Sequence, residues 1–126
     1  MNYTSPNIQV KEFRIKIYPK NFAVARDFYE NYLGFKIVHE WDKGKDGQGV
    51  MFNVGGTILE LLSRKRGVNY FDGIDVSLEV DDVKKLWEKF KKSGNIIFPL
   101  RENDWGDMSF CISDPEQSKL TFFTKI

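Results

Sequence analysis

Few residues in this sequence could carry chemistry. His39 is its one histidine and Cys111 its one cysteine, and they share no motif. A cysteine nucleophile needs a base or cation that stabilises its thiolate. Cys111, between Phe110 and Ile112, reads instead as a small, semi-buried apolar residue. His39 lies in Ile37-Val38-His39-Glu40-Trp41 and reads as a surface or sheet-edge side chain. Asp81 and Asp82 are adjacent, as paired catalytic carboxylates are, but they precede an amphipathic run and read as helix caps. Arg64-Lys65-Arg66 reads as a solvated linker. Arg101, Trp105 and Asp107 share a polar stretch, expected to be a loop over 101–107. An arginine beside an aromatic can clamp an anionic or planar ligand by charge and stacking.

The elements that must position these residues follow from periodicity. Phe13, Ile15 and Ile17 alternate with Arg14, Lys16 and Tyr18, which predicts a strand with one covered face. Asn21 is placed to cap a helix whose apolar positions include Phe22, Ala25, Tyr29 and Leu33, and Gly34 ends it. Strands are expected over 35–41, 50–54 and 57–62, the last two joined by Gly55-Gly56. After a charged segment the pattern restarts. Ile74, Val76, Leu78 and Val80 alternate with Asp75, Ser77 and Glu79. Val83, Leu86, Trp87 and Phe90 then follow helical spacing, and Gly94 closes that helix. Strands over 96–100, 108–112 and 119–124 complete the chain.

The restart is a repeat. Phe13, Arg14 and Ile15 fall on Ile74, Asp75 and Val76 at an offset of 61, and so do Asn21 on Asp82, Tyr29 on Phe90 and Glu60 on Thr121. Strand, cap, helix and strand recurring in order at one offset mark a duplicated unit. The expected organisation is one α+β domain over 1–126, with a first module at about 10–63, a linker at about 64–72 and a second module at about 73–126. Each module has the order βαβββ, and its helix must cover the apolar face of its own sheet. The opposite faces then carry Arg14, Lys16 and Glu60 from the first module, and Asp75, Ser77, Glu79, Lys119 and Thr121 from the second. Two such sheets are expected to make an incomplete barrel around a polar cleft. Tyr18 and Phe123 share the parity of the inner face and are expected to line it too.

Bulk properties exclude several classes. Nineteen basic residues against 18 acidic ones leave a formal charge of +1, which gives no electrostatic reason for a nucleic-acid or anionic-membrane partner. No apolar run approaches the ~20 residues that span a bilayer. The N-terminal stretch lacks a secretory pattern, so a cytoplasmic location is expected. A single cysteine excludes an internal disulfide and a cysteine-based zinc site.

Phe28-Tyr29-Glu30-Asn31-Tyr32-Leu33-Gly34-Phe35 resembles the FY-x-x-x-LGF signature of the vicinal-oxygen-chelate superfamily, which includes glyoxalases, extradiol dioxygenases and bleomycin-resistance proteins. Val80-Asp81-Asp82-Val83, Trp105-Gly106 and Asp114-Pro115 extend the resemblance over about 13–123. It implies the duplicated fold, a homodimer, and a divalent metal held at positions that fall here on Arg14, Glu60, Asp75 and Thr121. Arg14 stays protonated and offers only donors, so it cannot ligate. Thr121 is a poor neutral ligand, and Glu60 and Asp75 alone fall short of the usual three protein ligands. Arg14 is expected instead to pair with Glu60 or Asp75.

The resulting expectation is a metal-free protein, nearest in character to the bleomycin-resistance branch, that binds a small, polar or aromatic molecule without cofactor and without catalysis. Its cleft would use Arg14, Lys16, Tyr18, Glu60, Asp75, Ser77, Arg101, Trp105, Thr121 and Phe123. Two alternatives stay open: a glyoxalase- or lyase-type enzyme with a divergent metal site, and a non-catalytic interaction module.

Overall fold

The computed structural model describes residue 4, residues 6–70 and residues 72–126. Two four-stranded sheets carry the chain. The first module runs β1 (Arg14–Ile17), α1 (Phe22–Asp27), β2 (Lys36–Asp42), β3 (Gln48–Val54) and β4 (Thr57–Leu62). The second runs β5 (Asp75–Glu79), α2 (Val83–Phe90), β6 (Ile96–Asn103), β7 (Asp107–Ser113) and β8 (Lys119–Lys125). The sheet orders are β1-β4-β3-β2 and β5-β8-β7-β6, the same topology twice. In each sheet the first strand pairs parallel with the last and the remaining pairs are antiparallel.

The repeat extends to single hydrogen bonds. Asn21 Oδ1 accepts from Val24 N at 3.1 Å, and Asp82 Oδ1 accepts from Lys85 N at 3.1 Å, so both helix starts are capped in the same way. Gly34 has φ +74, the left-handed conformation expected where the first helix ends. Gly55 and Gly56 both have positive φ and make the tight hairpin turn between β3 and β4.

The first helix changes character along its length. After Asp27 it widens into a π-helical turn over Phe28–Tyr32. The Phe-Tyr pair of the sequence signature lies in this turn. Phe28 and Tyr29 are both buried, and Tyr32 stacks on Phe28 with centroids 5.0 Å apart. Tyr29 and Tyr32 both reach the second module. Tyr29 Oη donates to Asp114 Oδ2 at 2.9 Å, and Tyr32 Oη donates to Ser93 Oγ at 2.6 Å. Glu116, in the turn before β8, accepts from the backbone N–H groups of Lys20 and Asn21.

One apolar core therefore joins the modules. It contains Ile17, Ala25, Tyr29, Phe52 and Leu61 from the first, and Val83, Phe110, Ile112, Leu120 and Phe122 from the second. Burial of Tyr29, and secondly the charge and hydrogen bond of Asp114, push the Tyr29 phenol well above its ordinary pKa. A raised folded-state pKa gives stability that is fully present below the unfolded value of about 10 and is lost as pH rises toward the folded value. Urea midpoints measured from pH 8 to 11 should fall on the alkaline side, by up to about 1.4 kcal/mol per pH unit above 10, and Tyr29→Phe should flatten that limb. An alkaline limb unchanged in Tyr29→Phe would refute the assignment.

Three expectations change. The first strand is shorter than the alternation suggests, and Phe13, expected on the covered face, is 63% exposed ahead of β1. Arg101 is not in a loop: β6 continues through Asn103, and the turn to β7 is 104–106. Arg64 is not a free linker cation. Its Nε donates to the Tyr18 carbonyl at 2.7 Å, its Nη2 pairs with Asp72 at 2.5 Å, and its guanidinium lies over the Tyr70 ring. No helix among the described residues is long and apolar enough to cross a membrane.

Candidate functional site

Strand register assigns each polar side chain to a row. On the first sheet Lys16 pairs with Glu60, Glu60 with Met51, and Met51 with His39. Partners in adjacent strands point to the same side, so these side chains share the face that the core does not use. The adjacent row holds Trp41, Gly49 and Leu62. The second sheet repeats the arrangement. Ser77, Thr121, Cys111 and Phe98 form one row, and Glu79, Phe123, Ser109 and Arg101 the next. Asp75 pairs with Lys119 at the start of β5.

Glu60 is the buried charge of this face, 4% exposed in the middle of the first sheet. Arg14 answers it, with Nη1 donating to Glu60 Oε1 at 3.3 Å and Nε to Glu12. Hydrogen bonding to Glu12 and, less strongly, to Glu60 holds the guanidinium above its ordinary pKa. A buried carboxylate is costly unless paired, and Arg14 supplies the pairing that a bound cation would otherwise give.

On the second sheet the Arg101 guanidinium lies over the Phe98 ring, 3.7 Å from its centroid. Asn103 holds it there by accepting from Arg101 Nε at 3.1 Å. Asn103 in turn donates to Asp107 at 2.7 Å and to Ser109 at 2.8 Å. Trp105 is 73% exposed at the turn, its indole N–H donating to Asp107 at 3.0 Å.

The residues expected to line one cleft come from both sheets, as the duplication implies. Arg14, Lys16 and Glu60 are together on the first sheet; Asp75, Ser77, Thr121, Phe123 and Arg101 are on the second. Tyr18 lies beyond β1 and stacks on Tyr70 of the linker, centroids 4.6 Å apart. The modules share one apolar core. The cavity between them, about 610 Å³, is lined by Ile15, Leu59, Val76, Leu78, Leu120 and Phe122 among others, and of the residues expected on the polar inner faces Ser77 and Glu79 border it.

His39 and Trp41 belong to the polar face of the first sheet, which sequence reasoning missed. A register shift between Ile37 and His39 changes the parity of β2, and such bulges cannot be read from alternation. Trp41 had a signal of another kind. At the 60-residue offset that relates Gly34 to Gly94, Trp41 corresponds to Arg101.

The four positions where the resemblance implies a metal do not suit one. Arg14 occupies one of them with a guanidinium paired to Glu60, and Asp75 lies on the other sheet. Among the described residues no group of three or more His, Cys, Asp or Glu side chains converges.

Fold and site define a duplicated βαβββ chain whose two sheets each present a charged, partly aromatic face. The profile of the Glyoxalase/Bleomycin resistance protein/Dioxygenase superfamily matches residues 13–122, and the chain belongs to that superfamily. No curated protein matches it. Solved structures with this fold include TnmS3, an antibiotic binding protein from Streptomyces sp. CB03234, with TM-score 0.74, 18% identity, and coverage of 97% of this chain and 100% of that one. TioX from Micromonospora sp. ML1 has TM-score 0.73 and 18% identity over 93% of this chain and 100% of its own. Lactoylglutathione lyase from Agrobacterium tumefaciens has TM-score 0.71 and 17% identity over 95% of each chain. A binding protein and a lyase stand at nearly equal distance, so fold alone does not select between them.

Proposed function

We propose that this chain binds a small molecule on the polar faces of its sheets, without a resident metal, and that it does so as a homodimer. The observation that carries this reading is the Arg14–Glu60 pair. At the position where the superfamily's chemistry needs a cation, this chain has a protein cation of its own, which repels a divalent ion and satisfies the buried acid of this face. What remains is a surface suited to recognition: fixed charges, a histidine, an indole and a stacked guanidinium. Sequestration of a ligand is a use to which this fold is put, as in the antibiotic binding protein TnmS3. The dimer supports closure. A face of a second copy would enclose the polar surface of either sheet.

The test is metal content together with ligand response. Protein purified without chelators should carry far less than one Ni, Zn, Mn or Fe per chain, and a screen of polar aromatic compounds should raise its melting temperature, because a ligand bound only to the native state stabilises it. Stoichiometric metal would favour the enzyme reading. A flat response to every compound would favour an interaction module.

A second reading rests on the inter-module cavity. Its volume of about 610 Å³ lies within the usual range for ligand pockets, about 300–1,000 Å³, and its lining would take an apolar ligand. Val76→Phe, which narrows that cavity and leaves the polar faces intact, should abolish ligand response on this reading and preserve it on the first.

A further inference from the structure

Gly49 explains an arrangement that its neighbours do not. A Cβ built on Gly49 would lie 2.0 Å from Cζ2 of Trp41 and 2.3 Å from Cε2. No side chain fits there, so the Trp41 indole lies against the backbone of β3, on the polar face of the sheet. Gly49 does not have positive φ, so the turn chemistry that elsewhere demands glycine is not the reason for it. Its effect is to let a flat ring lie on the sheet. His39 packs beside that ring, centroids 5.5 Å apart.

The second module has a counterpart at the same place. Trp41 pairs with Gly49, and Arg101 pairs with Ser109, each 60 residues further on. Both modules thus put a planar π-system on the polar face, at the strand farthest from the module's first strand. In the first it is an indole laid over glycine. In the second it is a guanidinium laid over Phe98 and fixed by Asn103. The two planar groups differ chemically and agree in position. A flat side chain with one face on protein leaves its other face open for stacking. Lys16, exposed and in no ion pair among the described residues, is on the same face, at the opposite edge of the sheet from Trp41.

We infer that Trp41 and Arg101 are paired stacking plates and that the ligand is a flat aromatic molecule bearing an acidic group. The inference rests on the small-molecule reading above and narrows its ligand class. An indole and a guanidinium both stack on aromatic faces, while Lys16 and the remaining donors of Arg101 favour a carboxylate or phenolate over an amine.

Three probes test it by calorimetry: acridine-9-carboxylate, flat and anionic; 9-aminoacridine, flat and cationic; and adamantane-1-carboxylate, anionic and globular. The first is expected to bind at least tenfold more tightly than either of the others. Gly49→Ala keeps the tryptophan but forces it off the sheet, and Arg101→Leu removes the other plate. Each should weaken acridine-9-carboxylate at least tenfold, while Val76→Phe in the inter-module cavity leaves it unchanged. If Gly49→Ala does not fold by circular dichroism, Trp41→Leu takes its place. Equal binding of the adamantane acid, or affinities within twofold of wild type in both plate variants, overturns the stacking inference. Equal binding of 9-aminoacridine overturns the acidic group. In these cases a response of the wild-type protein to other compounds in the thermal screen still upholds the small-molecule reading, and failure of that screen as well brings down both.

Discussion

Asp114→Ala is expected to destabilise the fold by about 3–5 kcal/mol, one of the two largest effects of any single substitution proposed for this chain. Asp114 is 3% exposed and accepts three hydrogen bonds: from Tyr29 Oη at 2.9 Å, and from the backbone N–H groups of Glu116 and Ser118 at 2.8 Å each. A hydrogen bond to a charged group contributes about 1.5–3 kcal/mol. Removing the acceptor orphans three donors, and two of them belong to Tyr29 and Ser118, which are buried. Some of the cost is recovered where water reaches the Glu116 amide. The substitution strikes twice, since one oxygen orders the turn into β8 and the other ties the first module to the second. Asp114→Asn keeps an acceptor for the two amides and should cost much less. Urea denaturation of Ala, Asn and Tyr29→Phe variants measures each part. A loss below about 1 kcal/mol in Asp114→Ala would mean that the link between modules is not what holds them.

That link also marks where sequence reading ends. Asn21, Asp82, Gly34 and Gly55-Gly56 were legible because caps and turns depend on a few adjacent residues. The duplication was legible because alternation and helical spacing recur at one offset. The Tyr29–Asp114 contact joins residues 85 apart, and no local pattern reports it. For the same reason the direction in which the modules face each other was not legible. Alternation in β1 and β5 separates a polar from an apolar face, but it does not say which faces meet.

The site was half legible. Arg14 meets Glu60 as expected, because Lys16 and Glu60 are in register and Arg14 has the reach to cross. Trp41 was not recognised, because two facts must be combined to place it. The bulge after Ile37 sets its face, and Gly49 on the next strand makes its bed. Arg101 was picked out for its proximity to Trp105 but stacks on Phe98, since β6 runs on through Asn103 and carries Arg101 away from the turn. Each miss comes from a tertiary relation that changes parity or partner without any trace in the local pattern.

Phe110→Ala is the second large expectation, about 3–5 kcal/mol. Phe110 is 0% exposed in β7, and its ring meets Trp87 at 5.2 Å, Phe122 at 5.4 Å and Phe90 at 6.2 Å. The helix it anchors, α2, has only eight residues. A helix that short is marginal alone, and its stability comes from the apolar stripe it buries. Truncating Phe110 removes the ring under both aromatic residues of that stripe and leaves a cavity that neighbouring rings fill only in part. Because Phe90 also meets Tyr32 of the first module at 5.5 Å, the damage should spread beyond the second sheet. Thermal unfolding should stay a single transition and move down by roughly 10 °C or more. Two separated transitions would show instead that the modules fold independently and that the shared core does not couple them. Phe98→Ala is the internal control. It lies on the opposite face of the same sheet, under the Arg101 guanidinium, and should cost far less stability while freeing that arginine from its bed. The contrast separates the aromatic residues that build this fold from those that face whatever it binds.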